Sequence, residues 1–176
     1  MSDPKVVKAI NEQINAELYS AYLYWAMAAC ANDMGFPGMS NWLYNQYQEE
    51  TAHAQIFYKF LTRVGAKVEL TAIEMPPAQY TSPQEIFEEV LVHERKVTAL
   101  IHKLVAIARE TNDYAADNML RWFVNEQVEE EESAGDIVAM LNLAKSGNGL
   151  LMIDRDLGSR TFSAPTEMLE SGGLGD

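Results

Sequence analysis

The chain has 176 residues, 48% of them hydrophobic, with 26 acidic against 13 basic side chains and a formal net charge of -13. Those values suit one domain with a sizeable core of its own, and an acidic balance without a clustered basic face argues against a nucleic-acid partner. Cys30, the single cysteine, excludes an internal disulfide and suits a reducing compartment; within Ala28-Ala29-Cys30-Ala31 it reads as a small core hydrophobe.

Four long segments carry helical periodicity, at about 4 to 32, 37 to 64, 83 to 110 and 114 to 146, and none shows the alternation of strands. The class is all-α. Asp3 before Pro4 marks the first start, and Met1-Ser2-Asp3-Pro4-Lys5 lacks the basic and apolar regions of a secretory signal. The longest apolar run, Ala21 to Ala31, is too short for a bilayer, so the expectation is a soluble, cytoplasmic chain without membrane contact. Gly65 closes the second segment, Ser82-Pro83-Gln84-Glu85 has the pattern of a capping box opening the third, and Gly147-Asn148-Gly149 is expected to close the fourth. The links near 33 to 36 and 111 to 113 are short and join antiparallel neighbours. The link at about 66 to 82, with Pro76-Pro77 inside it, can stretch roughly 55 Å, enough to run back along a helix of roughly 40 Å. Helices two and three are therefore expected to be parallel, in a four-helix bundle with one long crossover. Leu150 to Leu157 reads as a short fifth, C-terminal helix. Residues 1 to 160 form the expected domain, and the Gly- and Ser-rich stretch 161 to 176 reads as a mobile tail.

Each long helix has a seam with alternating steps of three and four. Helix one reads Ile10, Ile14, Glu17, Ala21, Tyr24, Ala28; helix two reads Met39, Leu43, Gln46, Glu50, His53, Phe57, Phe60, Val64. Helix three reads Phe87, Val90, Glu94, Val97, Ile101, Leu104, Ala108; helix four reads Leu120, Phe123, Gln127, Glu130, Ala134, Ile137, Leu141, Ala144. Every seam is apolar except near its middle. A single seam glutamate is ordinarily matched by a Lys or Arg. Four at similar depth, with no basic residue in any seam, call for another cation, because an uncompensated buried carboxylate costs several kcal/mol. Four carboxylates and one imidazole suit iron, manganese or zinc, and balance two divalent ions. In two-metal sites the ions lie about 3.5 to 4 Å apart, close enough for one O2 to take an electron from each, which favours iron; zinc stays open on spacing alone.

Three segments carry a family resemblance: Asn11-Glu12-Gln13-Ile14-Asn15-Ala16-Glu17-Leu18-Tyr19, Glu49-Glu50-Thr51-Ala52-His53-Ala54, and Glu126-Gln127-Val128-Glu129-Glu130-Glu131. Over residues 5 to about 158 the chain resembles the non-haem ferritins of bacteria and archaea. The resemblance implies a ferritin-like bundle whose Glu17, Glu50 and His53 hold one iron and whose Glu94 and Glu130 hold a second, with Glu50 bridging. It further implies Gln127 beside the second iron, Tyr24 bonded to a ligand carboxylate and able to donate an electron, and a third, weaker iron site at Glu49, Glu126 and Glu129 with Glu130 shared. A solvated acidic face is the alternative for Glu126 and Glu129. Trp122 reads as packing, and His93 and His102 are given no role.

Bacterioferritins and rubrerythrins are similar but carry a second Glu-x-x-His where this chain has Gln127-x-x-Glu130. Thr51 stands at the haem methionine position, so no haem is expected. The implied activity is a ferroxidase, oxidising Fe(II) with O2 or H2O2 and storing ferric mineral in a homo-oligomeric shell of 24 subunits. A small peroxide-scavenging di-iron oxidoreductase without storage, and a metal-buffering bundle without a redox step, are the competing readings.

Overall fold

The computed structural model describes residues 2–77, 79–144 and 147–165. Among them are five helices and no strand: α1 (Pro4–Asp33), α2 (Pro37–Arg63), α3 (Pro83–Glu110), α4 (Tyr114–Leu143) and α5 (Gly147–Leu157). None is long and apolar enough to cross a membrane. Residues 161–165 have no regular structure, and the remainder of the expected tail lies outside the described residues.

The helix starts follow local chemistry. Asp3 accepts from the Lys5 N–H at 2.8 Å, Ser82 from Glu85 N–H at 3.2 Å, and Asp113 from Ala116 N–H at 3.1 Å. Glu85 reaches back as in a capping box, but to the Thr81 N–H, 2.6 Å away and one residue upstream of the cap. Phe36, the N-cap of α2, offers no side-chain cap of its own, and Asp154 of α5 supplies one from a distance, accepting from Met39 N–H at 2.8 Å. That approach requires glycine at position 38, where a Cβ would lie 1.7 Å from the Asp154 carbonyl oxygen. Gly65, at φ +70°, ends α2 with its N–H on the Thr62 carbonyl.

At the far end the structure departs from expectation. Helix α4 stops at Leu143, because Ala144 leaves the helical region with ψ 72°, and Gly147-Asn148-Gly149 opens α5 instead of closing α4. The seam of α2 also drifts in its last turns: Leu61 is buried where Phe60 and Val64 are only half-buried. A straight helix repeats every 3.6 residues, so alternating steps averaging 3.5 fall behind the buried face over several turns.

Two apolar clusters fill the bundle. One joins Leu23 to Ala31 of α1, Met39 to Leu43 of α2, Ile86 to Val90 of α3, Ala134 to Leu141 of α4, and Ile153 and Leu157 of α5. The other joins Val6 to Ile14, Ile56 to Leu61, Val97 to Ala108 and Ala116 to Phe123. The N-terminal parts of α2 and α3 thus share one end of the bundle with the C-terminal parts of α1 and α4, which makes α2 and α3 parallel, as the long crossover requires. That crossover lies along α1, where Asn11 accepts from Glu69 N–H at 2.7 Å and donates to the Lys67 carbonyl at 3.1 Å, and Asn15 donates to the Ala72 carbonyl at 3.0 Å. Half-buried Cys30 packs against the first cluster.

Candidate metal centre

Between the two apolar clusters lies a polar layer. Glu17 comes from α1, Gln46, Glu50 and His53 from α2, Glu94 from α3, and Gln127 and Glu130 from α4; all are buried. The mid-helix interruptions of the four seams meet there because the helices are of similar length and lie side by side. Among the described residues, one group of three offers metal-ligating atoms within 4.8 Å of one another: Glu17, Glu50 and His53. Glu50 and His53 are three residues apart, so both point from one face of α2.

Hydrogen bonding divides the layer. Glu94 accepts from the Tyr24 hydroxyl and, at 3.1 Å, from the Gln127 amide, which also lies 3.3 Å from the Thr98 hydroxyl. Glu130 accepts from the Gln46 amide at 2.8 Å, and Glu17 from the Gln13 amide at 2.9 Å. By contrast the second oxygen of Glu17, both oxygens of Glu50 and Nε2 of His53 are buried without a hydrogen-bond partner. No Lys or Arg among the described residues forms an ion pair with Glu17, Glu50, Glu94 or Glu130; the His53 ring, with Nδ1 3.7 Å from Glu50, is the one basic group in ion-pair reach.

The electrostatic consequence is uniform in sign. Burial pushes the Glu17 carboxyl well above the usual carboxylate range, and the Glu50 charge adds to the effect. Glu50 is raised by burial and then chiefly by Glu94, with Glu130 and Glu49 adding to it; Glu130 is pushed up to about 8 by burial, Glu94 and Glu49. Glu94 is also raised by burial, but the bonds from Tyr24 and Gln127 pull it back. Tyr24, fully buried, has its phenol pushed up by burial and by the Glu94 charge. A layer of buried carboxyls with orphaned oxygens and an orphaned imidazole nitrogen is matched chemically by divalent cations, which would supply both the missing charge and the missing partners.

The residues flanking the layer are placed differently. Glu126 is half-buried with Oε1 3.9 Å from His53 Nε2, whereas Glu129 is exposed. The Glu49 carboxylate is held by Arg160, 2.5 Å away. Trp122 packs edge-on against His53 with ring centroids 5.4 Å apart, and His102 is exposed. His93 is buried, bonded to the Ser20 hydroxyl at 2.8 Å, and lowered to about 4 by burial, so it stays neutral. Sequence reasoning gave no part to Gln13, Gln46, Thr98 or Arg160. Gln46 carried a signal, since it interrupts an apolar seam one turn before Glu50. Gln13 lies off its seam, and Arg160 lies beyond the last helix, where no periodicity speaks.

The Ferritin-like domain family matches residues 7–144. The chain belongs to the ferritin family. Among curated relatives of this ferritin chain, the bacterial non-heme ferritin of Escherichia coli O157:H7 is 39% identical over 158 residues, covering 89% of this chain and 96% of that protein. A probable bacterial non-heme ferritin-like protein of Haemophilus influenzae is 38% identical over 165 residues, covering 93% and 100%. Among solved structures, the open pore ferritin of the hyperthermophilic archaeon Archaeoglobus fulgidus superposes with a TM-score of 0.90 at 46% identity, covering 92% of this chain and all of that one. An engineered closed form of the same archaeal ferritin gives 0.91 at 46% identity, with 93% and 100% covered. The all-α bundle with a short fifth helix is thus the ferritin fold.

Proposed function

We propose that the chain is an iron-storing ferroxidase: a subunit of a homo-oligomeric cage that takes up Fe(II), oxidises it with O2 at the buried polar layer and keeps Fe(III) as mineral. The observation that carries this reading is the set of orphaned ligand atoms on Glu17, Glu50 and His53, in a layer of acidic groups that, among the described residues, has no basic side chain beyond His53. Glu17, Glu50 and His53 hold one Fe(II), Glu94 and Glu130 hold the second, and Glu50, with both oxygens unpartnered, reaches both. Each bound ion displaces protons from the raised carboxyls, so uptake releases protons to solvent. Two Fe(II) give one electron each to O2, which with two protons leaves as H2O2; H2O2 in turn is a competent oxidant for further Fe(II).

The chain's own residues prepare that step. Tyr24 and Gln127 orient Glu94 through its two oxygens, and Gln46 orients Glu130, so the second carboxylate pair is fixed before iron enters. In this reading the phenol of Tyr24, neutral and bonded to Glu94, supplies an electron. The packing of Phe57 and Phe123 below the layer excludes water from that side. Of the residues to which the resemblance gives a third, weaker ion, Glu126 and Glu129 flank the layer beside Glu130, while Glu49 is engaged by Arg160. In this reading the cage has 24 subunits and is cytoplasmic, and the ferritin likeness supports both.

Excess Fe(II) added in air to metal-free protein, followed by separation by size, tests the whole reading. Iron far beyond three ions per chain, travelling with a large particle, is expected. Two or three ions on a small oligomer would instead favour the di-iron oxidoreductase without storage. Glu50→Ala should slow the initial oxidation by at least about tenfold while leaving the helical content intact; an unchanged rate would remove the site assignment.

A further inference from the structure

The chain beyond α5 returns to α2. Asn41 donates to the carbonyl of Arg160 at 2.9 Å and to that of Gly158 at 3.4 Å, and Asn45 donates to the Arg160 carbonyl at 3.4 Å. With the backbone held there, the Arg160 guanidinium lies over the Trp42 ring, 4.6 Å from its centroid, and Nη2 meets Glu49 Oε2 at 2.5 Å. Trp42, Asn45 and Glu49 are spaced three and four apart, so they form one strip along α2, and Arg160 engages all three. The contact is sheltered, with the Arg160 side chain 25% and the Glu49 side chain 17% exposed. A charge-assisted bond to carboxylate and a cation over indole reinforce each other in such a place, and a planar guanidinium gives up little freedom to make both.

From this geometry we infer that Arg160 sets the number of metal ions the chain holds: its guanidinium is an internal cation seated on Glu49, and it occupies the carboxylate that a third ion would need. The inference rests on the two-ion reading of the polar layer and adds to it a residue of this chain that limits the site. Glu17, Glu50, Glu94 and Glu130 supply four negative charges for two divalent ions. Glu49 and Arg160 form a neutral pair beside them, so Glu49 has neither a spare charge nor a free orientation with which to bind a third. Any ion entering there must first lift the arginine from both Trp42 and Glu49. Exposed Glu129 and half-buried Glu126 do not offer a comparable set without Glu49.

Anaerobic titration of the full, assembled protein with Fe(II), followed by calorimetry, reads the count directly. The wild type is expected to bind two ions per chain tightly, and Arg160→Gln three. Arg160→Gln combined with Glu49→Gln should return the count to two. Glu49→Gln alone, which leaves the arginine in place, should also bind two; loss of an ion in that variant means Glu49 is already a ligand and overturns the inference. Equal counts in the wild type and Arg160→Gln, with particle size and helical content unchanged, overturn it as well. If Arg160→Gln alters size or helical content, the Glu49→Gln result decides alone. Glu50→Ala in the same titration separates the two readings: a count that stays at two removes the assignment of Glu50, while the contrast between wild type and Arg160→Gln still judges the arginine.

Discussion

The ends of the bundle and its middle are built from the same four helices by opposite rules. At the ends every seam residue finds apolar neighbours, as where Phe57 and Phe123 stack with centroids 4.1 Å apart and neither is more than 1% exposed. In the middle, one layer away, His53 and Glu50 are as deeply buried, yet His53 Nε2 and both carboxylate oxygens of Glu50 have no partner. Burial at the ends stabilises the fold; burial in the middle raises the free energy of the metal-free chain and leaves ligand atoms whose cost a bound cation would offset. The ends must offset the middle, which is why the polar layer is narrow and flanked on both sides by continuous clusters.

The sharpest way to break the comparison is at an end. Phe57→Ala should lower the unfolding free energy of the metal-free protein by about 3–5 kcal/mol, measured by denaturant titration at fixed protein concentration, because it opens a cavity against Phe123. In the middle the sign should reverse. Glu50→Leu removes a buried, unpartnered carboxyl and should raise the metal-free stability by about 1–4 kcal/mol, while abolishing tight Fe(II) binding at the layer. A loss of stability in both variants would mean that the middle is satisfied after all.

A gentler probe is pH. The layer's carboxyls are raised in the folded chain, so folded protein keeps protons that unfolded protein releases above the ordinary value of 4.5. The stabilising contribution of the protonated layer is complete below that value and is lost as pH climbs through the folded-state values, about 8 for Glu130. The metal-free protein should therefore lose a few degrees of Tm between about pH 5 and pH 8. Glu50→Leu should flatten that slope, and saturating Fe(II) without oxygen should flatten or invert it, since bound ions hold the carboxyls ionised. A slope of equal size in Phe57→Ala and wild type would locate the effect in the middle and not at the ends.

Most of the fold was legible in the residues, and for a plain reason: a long amphipathic helix writes its buried face into its own periodicity. Starts at Pro4 and Pro83 and the stop at Gly65 were equally plain, because capping is local chemistry within four residues. The boundary between α4 and α5 was misjudged because glycines serve a helix start as readily as a stop, and only the turn at Ala144 decides which. At the site, Glu17, Glu50, His53, Glu94 and Glu130 stood out as interruptions of apolar seams. Of their hydrogen-bond donors, Tyr24 and Gln127 entered through the family resemblance, and Gln46 showed as one more seam interruption. Gln13 did not stand out, since it lies off the seam and differs from other such polar residues only in reaching Glu17 one turn on.

The sequence by itself determined the helices, their pairing through one long crossover, and the depth at which four carboxyls and an imidazole must meet, because these depend on spacing along the chain. Only the tertiary structure decided which of those buried atoms are satisfied and which, among the described residues, lack a partner. It alone set Asp154 on the start of α2 against Gly38, and returned Arg160 to Glu49 across 111 residues of chain. Contacts of that kind join residues from different elements, and their energies come from distances and exclusion of water that no one-dimensional pattern records.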